Sequence, residues 1–214
     1  ATIYFTHYLF EACAHCGRPE VFFDRMALWF GFRERGFRTT PARRQVALTD
    51  DALFAYHLVF MHGRTSFRLT EAEREQLATF IERGGMLFAD SICASQAFTE
   101  SFRREMAAVF PERKLEAIPP ADPMLSPEYG GFDLSTVTRR DPQSRDSEGP
   151  LKANLRQVPP LLEGIRLDDR WAVVFSPFDI SCALEKHASL ECQGYTREDA
   201  ARIGLNVILY SLQQ

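Results

Sequence analysis

The chain contains no apolar run approaching the roughly 18 residues that a membrane-crossing helix needs, so no such span is expected in it. It has little excess of one charge sign: 25 Lys and Arg against 29 Asp and Glu leave a net charge of −4, with basic residues scattered among acidic ones. Nucleic-acid binders concentrate Lys and Arg on one face, and the lack of such a concentration argues against a nucleic-acid partner. No internal repeat is present, which argues against a stacked-repeat architecture. The start, Ala1-Thr2-Ile3-Tyr4-Phe5, has neither an initiator Met nor the layout of a signal peptide, as expected of a processed or excised piece.

What is present suits one globular domain over residues 1–214, with 45% hydrophobic residues and 18 Phe to build an aromatic-rich core. Residues 2–9 (TIYFTHYL) read as a strand. Pro19 opens a helix carrying Val21, Phe22, Met26, Leu28, Trp29 and Phe32 and ending near Gly36. Residues 45–48 form a candidate short strand, and 57–61 (HLVFM) a buried parallel strand ending at His62-Gly63. Thr70 and Glu73 make a capping box for a helix with Leu77, Phe80 and Ile81 on its apolar stripe, stopped at Gly84-Gly85. Residues 86–89 (MLFA) are a further strand, followed by a turn from Asp90 to Ser95 into a helix through Phe98, Phe102, Met106 and Val109. Strand and helix alternate without a break, which predicts an α/β fold with a doubly wound, mostly parallel sheet.

Residues 119–160 hold most of the prolines and a polar run, RRDPQSRDSEGP, and read as a long, partly irregular excursion within the domain. Beyond it, 161–167 and 170–176 form a hairpin around Asp168-Asp169, and Thr196 with Asp199 caps a final amphipathic helix.

The cysteines are where the pattern turns to function. In open α/β sheets the loops past the carboxyl ends of parallel strands build the ligand site. Cys13 and Cys16 follow the first strand, Asp90 and Cys93 follow 86–89, and Asp179, Cys182 and Cys192 follow 170–176, so all five cysteines fall on one edge. Cys13-Ala-His-Cys16 is a C-x-x-C pair, and Cys182 and Cys192 form a wider one with a nine-residue gap. Four thiolates together suit zinc or an iron–sulfur centre, with His187 able to replace a cysteine and His15 exposed. Two disulfides are the alternative, and they require an oxidising compartment. The compartment follows the chemistry: cytoplasmic for metal, periplasmic or exported for disulfides. A thioredoxin-type motif is disfavoured, because Gly17-Arg18-Pro19 separates Cys16 from the helix interior. Cys93 lies on a strand-to-helix turn, where a thiol nucleophile could take His62 as base with Asp90 or Asp179 orienting it. The plainer reading makes Cys93 a packing residue and Asp90 a cap for the following helix. Glu163 and Glu185 read as surface residues.

Three blocks in order, YHLVFMHGRTSFRLTEAEREQLATFIERGGMLFADSICASQAFTESFRREMAAVFP, LLEGIRLDDRWAVVFSPFDISCALE and GYTREDAARIGLNVILYSLQ, resemble domain of unknown function 4159, an uncharacterised bacterial family. The resemblance implies a three-layer flavodoxin-like sheet, similar to class I glutamine amidotransferases and trehalose-utilisation-type proteins. It also implies that the cysteine turn after the Gly-Gly strand carries over to Cys93, and the FSPFDISC segment to Asp179 and Cys182. The chain departs from the pattern at Cys13 and Cys16 and at Asp122-Pro123, where His-Pro is common. The Gly-flanked nucleophile and downstream His-x-Glu of glutaminases are absent.

The leading expectation is therefore a non-catalytic binding or assembly domain in a larger complex with other protein subunits, carrying a cysteine-rich metal or redox site at the carboxyl edge. A thiol-dependent hydrolase using Cys93 and His62 is the alternative from a different class. An exported, disulfide-stabilised domain binding carbohydrate or cell envelope is the third.

Overall fold

The structure, a computed structural model, describes residues 47–142, 153–184 and 192–214, together with the backbone of three short strands before them. Those strands are β1 (Thr2–Ile3), β2 (Phe5–Leu9) and β3 (Arg38–Thr39). Then come β4 (Leu58–Gly63), α1 (Glu71–Glu82), β5 (Met86–Ser91), α2 (Gln96–Val109) and β6 (Glu116–Ala117). They are followed by β7 (Val137–Asp141), β8 (Asn154–Val158), β9 (Glu163–Leu167) and β10 (Arg170–Ser176). A single turn, α3 (Ser181–Leu184), the two-residue β11 (Gly194–Tyr195) and α4 (Arg197–Ser211) complete the chain. The expected helix after Pro19 lies outside the described residues, as do Cys13, Cys16 and His187. Among the described residues no helix is long and apolar enough to cross a membrane.

The fold is mixed α/β. Six strands run in the order β2-β4-β5-β10-β9-β6, parallel from β2 to β10 and antiparallel in β9 and β6. β1 pairs in parallel with β3. The expected strands 2–9, 57–61 and 86–89 thus do pair in parallel, and 161–167 with 170–176 is a hairpin whose turn holds Asp168 in the left-handed region at φ 53°. β4 and β5 read as unbroken apolar runs because both faces of each are covered. Leu58 and Phe60 of β4 join Met86 and Phe88 of β5 in one core, while Val59 and Met61 join Leu87 and Ala89 in the other.

The second of these cores lies under α1 and α2. Leu77, Phe80 and Ile81 from α1 and Phe98, Phe102 and Met106 from α2 are buried against Phe175, whose ring stacks on Phe102 at 4.3 Å between centroids. Gly63 is required at the end of β4, since a Cβ there would strike the ring of Phe98. The capping box of Thr70 and Glu73 forms as expected. Glu105, fully buried on α2, clamps α1 by accepting from Arg74 at 2.8 Å and from the Leu69 N–H at 3.2 Å.

The other core is covered by α4 and residues 118–134, and here two expectations about α4 are corrected. α4 is not amphipathic: it is buried from Asp199 to Ser211 except at Arg202, because sheet and excursion enclose it. The Thr196 side chain accepts no backbone N–H at the start of α4; its hydroxyl donates to Asp199 at 3.2 Å, and Asp199 also accepts the Thr138 N–H of β7 at 2.7 Å. The described parts of the excursion combine irregular backbone with short elements. Asp122 and Ser126 cap two short 3-10 turns, and β7, β8 and β11 make a second, antiparallel sheet in the order β11-β7-β8.

Candidate functional site

Parallel register sets the row of residues on which the site is built. Leu9 pairs with His62, His62 with Asp90, and Asp90 with Ser176, so the carboxyl ends of four strands finish level. The chain leaves β5 through Ile92-Cys93-Ala94, with Cys93 at φ 53° and Ala94 at φ 55°. Two consecutive non-glycine residues in the left-handed region cost on the order of 1–3 kcal/mol each and persist only where surrounding contacts impose them. Three contacts do so. The Cys93 N–H donates to Asp179 Oδ2 at 2.8 Å, the Ser91 hydroxyl donates to the Ser95 carbonyl at 2.9 Å, and Cys93 is disulfide-bonded to Cys192.

Cys192 is brought back over the edge by backbone pairing. Asp179 bridges Gly194 in parallel, and the Tyr195 N–H donates to the Asp179 carbonyl at 3.0 Å. Gly194 allows that approach, because a Cβ would overlap Asp179. Arg140 of β7 fixes the same turn by donating from Nε to the Cys192 carbonyl at 3.0 Å.

Beneath the sulfurs lie two fully buried carboxyls. Asp179 accepts from Cys93 N–H through Oδ2, from Ala183 N–H at 3.1 Å through Oδ1, and from the Cys182 thiol. Asp90 accepts through Oδ2 from the N–H groups of Ile180 and Ser181 at 3.0 and 3.1 Å and from the Ser181 hydroxyl at 3.0 Å. Its Oδ1 has no hydrogen-bond partner among the described residues. Burial, then the charge of Asp179, pushes Asp90 up to about 8, against the pull of its three donors. Burial also raises Asp179, to about 6, where its N–H donors, the Cys182 thiol and Arg140 hold it lower than its neighbour. Burial raises both carboxyls and Asp90 the further, so the pair favours holding a proton, because two adjacent buried carboxylates cannot both ionise cheaply.

Three of the expected site cysteines therefore do meet at the carboxyl edge. Cys182 is buried beside Cys192 and Ile92, and Cys93 leans against the same cluster. The pairing differs from expectation: Cys192 bonds Cys93 rather than Cys182, because the Gly194 bridge delivers it to the turn after β5. The four-cysteine arrangement needed the loops after the first strand and after 170–176 to leave neighbouring strands. The order places β4 and β5 between β2 and β10, three strand spacings or roughly 14 Å, while Cys13 and Cys16 themselves lie outside the described residues. Asp90 does not cap α2; Ser95 does, accepting from the Phe98 N–H. His62 is buried, register-opposite Asp90, with its ring 5.6 Å from that of Phe60. Glu163 sits in β9 and pairs with Arg103 rather than standing free at the surface. Arg140 and Ser181 were missed, since each acts on a residue at least 50 positions away and no local pattern marks it.

The Sγ atoms of Cys93 and Cys192 and a carboxylate oxygen of Asp179 lie within 4.8 Å of one another. That donor set can run thiol–disulfide chemistry or, when reduced, take a thiophilic cation.

Over residues 28–212 the sequence matches the family described as Domain of unknown function (DUF4159). The chain belongs to that family. No curated protein matches it. Among solved structures it resembles alpha-L-fucosidase isoenzyme 2 from Paenibacillus thiaminolyticus at 10% identity and a TM-score of 0.39, over 99% of this chain and 32% of that one. The chain spans about a third of that protein's length, and a likeness at this level carries no argument about fold or activity.

Proposed function

We propose that this domain is a binding or assembly module of a larger complex whose carboxyl edge carries a thiol–disulfide redox site. Cys93 and Cys192 are the reversible pair, and Asp179 handles their proton. One observation carries the reading: two cysteines 99 residues apart meet directly over a fully buried carboxyl at the ends of the parallel strands. An external thiolate attacks the half-exposed Cys93, Cys192 leaves as thiolate and is protonated through Asp179, and a second external thiol releases Cys93. A group titrating near 6 is suited to exchanging protons with thiols at neutral pH.

The flavodoxin-like, class I glutamine amidotransferase-like architecture belongs to the same proposal. It is supported by β3 pairing with β1 and by the order β2-β4-β5-β10, which together follow the flavodoxin-type succession of parallel strands.

The test is equilibration in glutathione buffers of graded potential, with quenching by acid and peptide mapping. Cys93–Cys192 should pass from bonded to reduced over one transition while the domain stays folded. A pair that never forms, or that opens only on unfolding, ends this reading.

A metal reading has its own support in the Cys93, Cys192 and Asp179 cluster. Two thiolates and a carboxylate suit tetrahedral zinc with a fourth donor better than an iron–sulfur centre, which draws on four thiolates. Reduced protein purified without a metal-affinity tag should then retain about one zinc by elemental analysis and lose it in the Cys93→Ser variant. Zinc-free reduced protein that takes up none on dialysis against zinc would discard it.

A further inference from the structure

Cys182 lies outside the disulfide yet belongs to the same chemistry, and any role for it rests on the redox reading of that site. We propose that Cys182 is an internal exchange thiol: it displaces Cys93 from Cys192, moving the disulfide to Cys182–Cys192 and releasing Cys93 at the surface as a reactive thiol.

The three cysteines share one small packed cluster. Cys182 and Cys192 are both buried, at 5% and 1% exposure, in one small cluster with Ile92, and Cys93 packs on its outer side. The Cys182 thiol donates to Asp179, which also holds the Cys93 N–H, so one carboxylate touches both the entering and the departing cysteine. The step balances internally. Asp179 takes the proton from Cys182, the Cys182 thiolate attacks Cys192 Sγ, the Cys93–Cys192 bond breaks, and Cys93 leaves as thiolate and recovers that proton from Asp179. One S–S bond forms as one breaks, a proton passes from Cys182 to Cys93, and no outside oxidant or reductant is consumed.

The consequence is asymmetric because the two thiols differ in access. In the starting state the remaining thiol is buried at Cys182. After exchange it is at Cys93, half-exposed, on a turn held in the left-handed region. A thiol in such a position can attack an electrophile or another protein's disulfide, which Cys182 cannot reach. Asp90 and Arg140 are the other titratable or charged groups beside Asp179: the charge of Asp179 raises Asp90, and Arg140 favours the charged form of Asp179.

The experiment uses the oxidised protein in the absence of reductant, alkylated with iodoacetamide at about pH 7.5 and mapped by peptide mass spectrometry. Label should accumulate on Cys93 in step with a Cys182–Cys192 disulfide, and Cys93 labelling should fall at least tenfold in Cys182→Ser. Asp179→Asn should slow the Cys93 labelling by about tenfold or more, as expected for loss of a positioned proton acceptor, while Asp90→Asn should not. If Cys93 stays bonded to Cys192 after prolonged alkylation while the pair still titrates in glutathione buffers, the exchange role is wrong and the redox site stands. If Cys93 labels equally fast in Cys182→Ser, Cys182 is likewise excluded. A Cys93–Cys192 bond that never forms removes both. Should Cys182→Ser fail to fold, the wild-type peptide map alone decides, because the Cys182–Cys192 disulfide is either found or not.

Discussion

On one face of the large sheet, α1 and α2 press Phe80, Phe98 and Phe102 onto Val59, Leu87 and Phe175; on the other, α4 and residues 118–134 do the covering, and polar side chains hold them there. The first face is closed by helices that directly follow their strands, with the buried Glu105 paired to Arg74 and Arg104. The second is closed by segments far apart in sequence. Asn206 of α4 donates to the carbonyls of Met124 and Phe132 at 3.0 and 2.8 Å and accepts the Phe132 N–H at 2.8 Å. Asp199 holds β7, and Asp122 accepts the Trp171 indole N–H at 2.8 Å. Gly131 is needed where Asn206 comes closest, since a Cβ would meet its Oδ1. Apolar packing suffices where neighbours in sequence are neighbours in space. Where the backbone takes no regular pattern, buried amides need side-chain partners.

The contrast can be broken from either side. Phe102→Ala removes a fully buried ring from the aromatic face and should cost about 3–5 kcal/mol in denaturant unfolding. Unfolding should stay cooperative, because the loss is spread over a continuous core. A cost below about 1 kcal/mol would mean that face is not closed by packing.

Asn206→Ala should cost somewhat less, about 2–3 kcal/mol, since it strands buried backbone groups of residues 124–132. Its signature should be local: amide hydrogen exchange over 122–134 should rise before exchange in β4 and β5 does. Uniform acceleration across both faces would dissolve the distinction.

Asp199→Asn should cost about 1 kcal/mol by weakening the acceptor for Thr138, with faster exchange confined to β7 and the start of α4. An effect that reaches α1 and α2 would speak against separate means of closure.

The smallest effect in magnitude at acid pH, and the most telling in its pH dependence, belongs to Asp90→Asn. Asp90 is raised to about 8 by burial and by Asp179, so the folded protein binds a proton that the unfolded chain gives up near the ordinary carboxyl value of 3.8. The stability of that protonated carboxyl is fully present below about 4 and is lost as pH rises through about 8. Wild-type melting temperature should therefore fall from about pH 5 to pH 8, and Asp90→Asn, which mimics the neutral form, should flatten the decline while changing little near pH 4. A wild-type profile that rises over this range would contradict the proton assigned to Asp90.

The alternation of apolar runs and capped helices from residue 57 to 109 was written in neighbouring residues, and so was the hairpin around Asp168-Asp169. Thr70 with Glu73 lies within one turn of backbone, and Phe60 and Phe88 lie on strands joined by one helix, so local patterns sufficed for both. The arrival of Cys93, Cys182 and Cys192 at the carboxyl edge was equally readable, because strand direction in βαβ units fixes where each loop emerges. Tertiary structure decided the rest. Whether Cys192 meets Cys93 or Cys182 depends on the Gly194 bridge to Asp179, and the fate of Asp199 depends on β7 arriving beside it. The same holds for the Asp90 and Asp179 pair, whose shared proton comes from burial that neither residue's neighbours in sequence impose. Periodicity reports which side of an element is apolar. It carries no information on which distant polar partner will fill a buried valence, and that choice created the site.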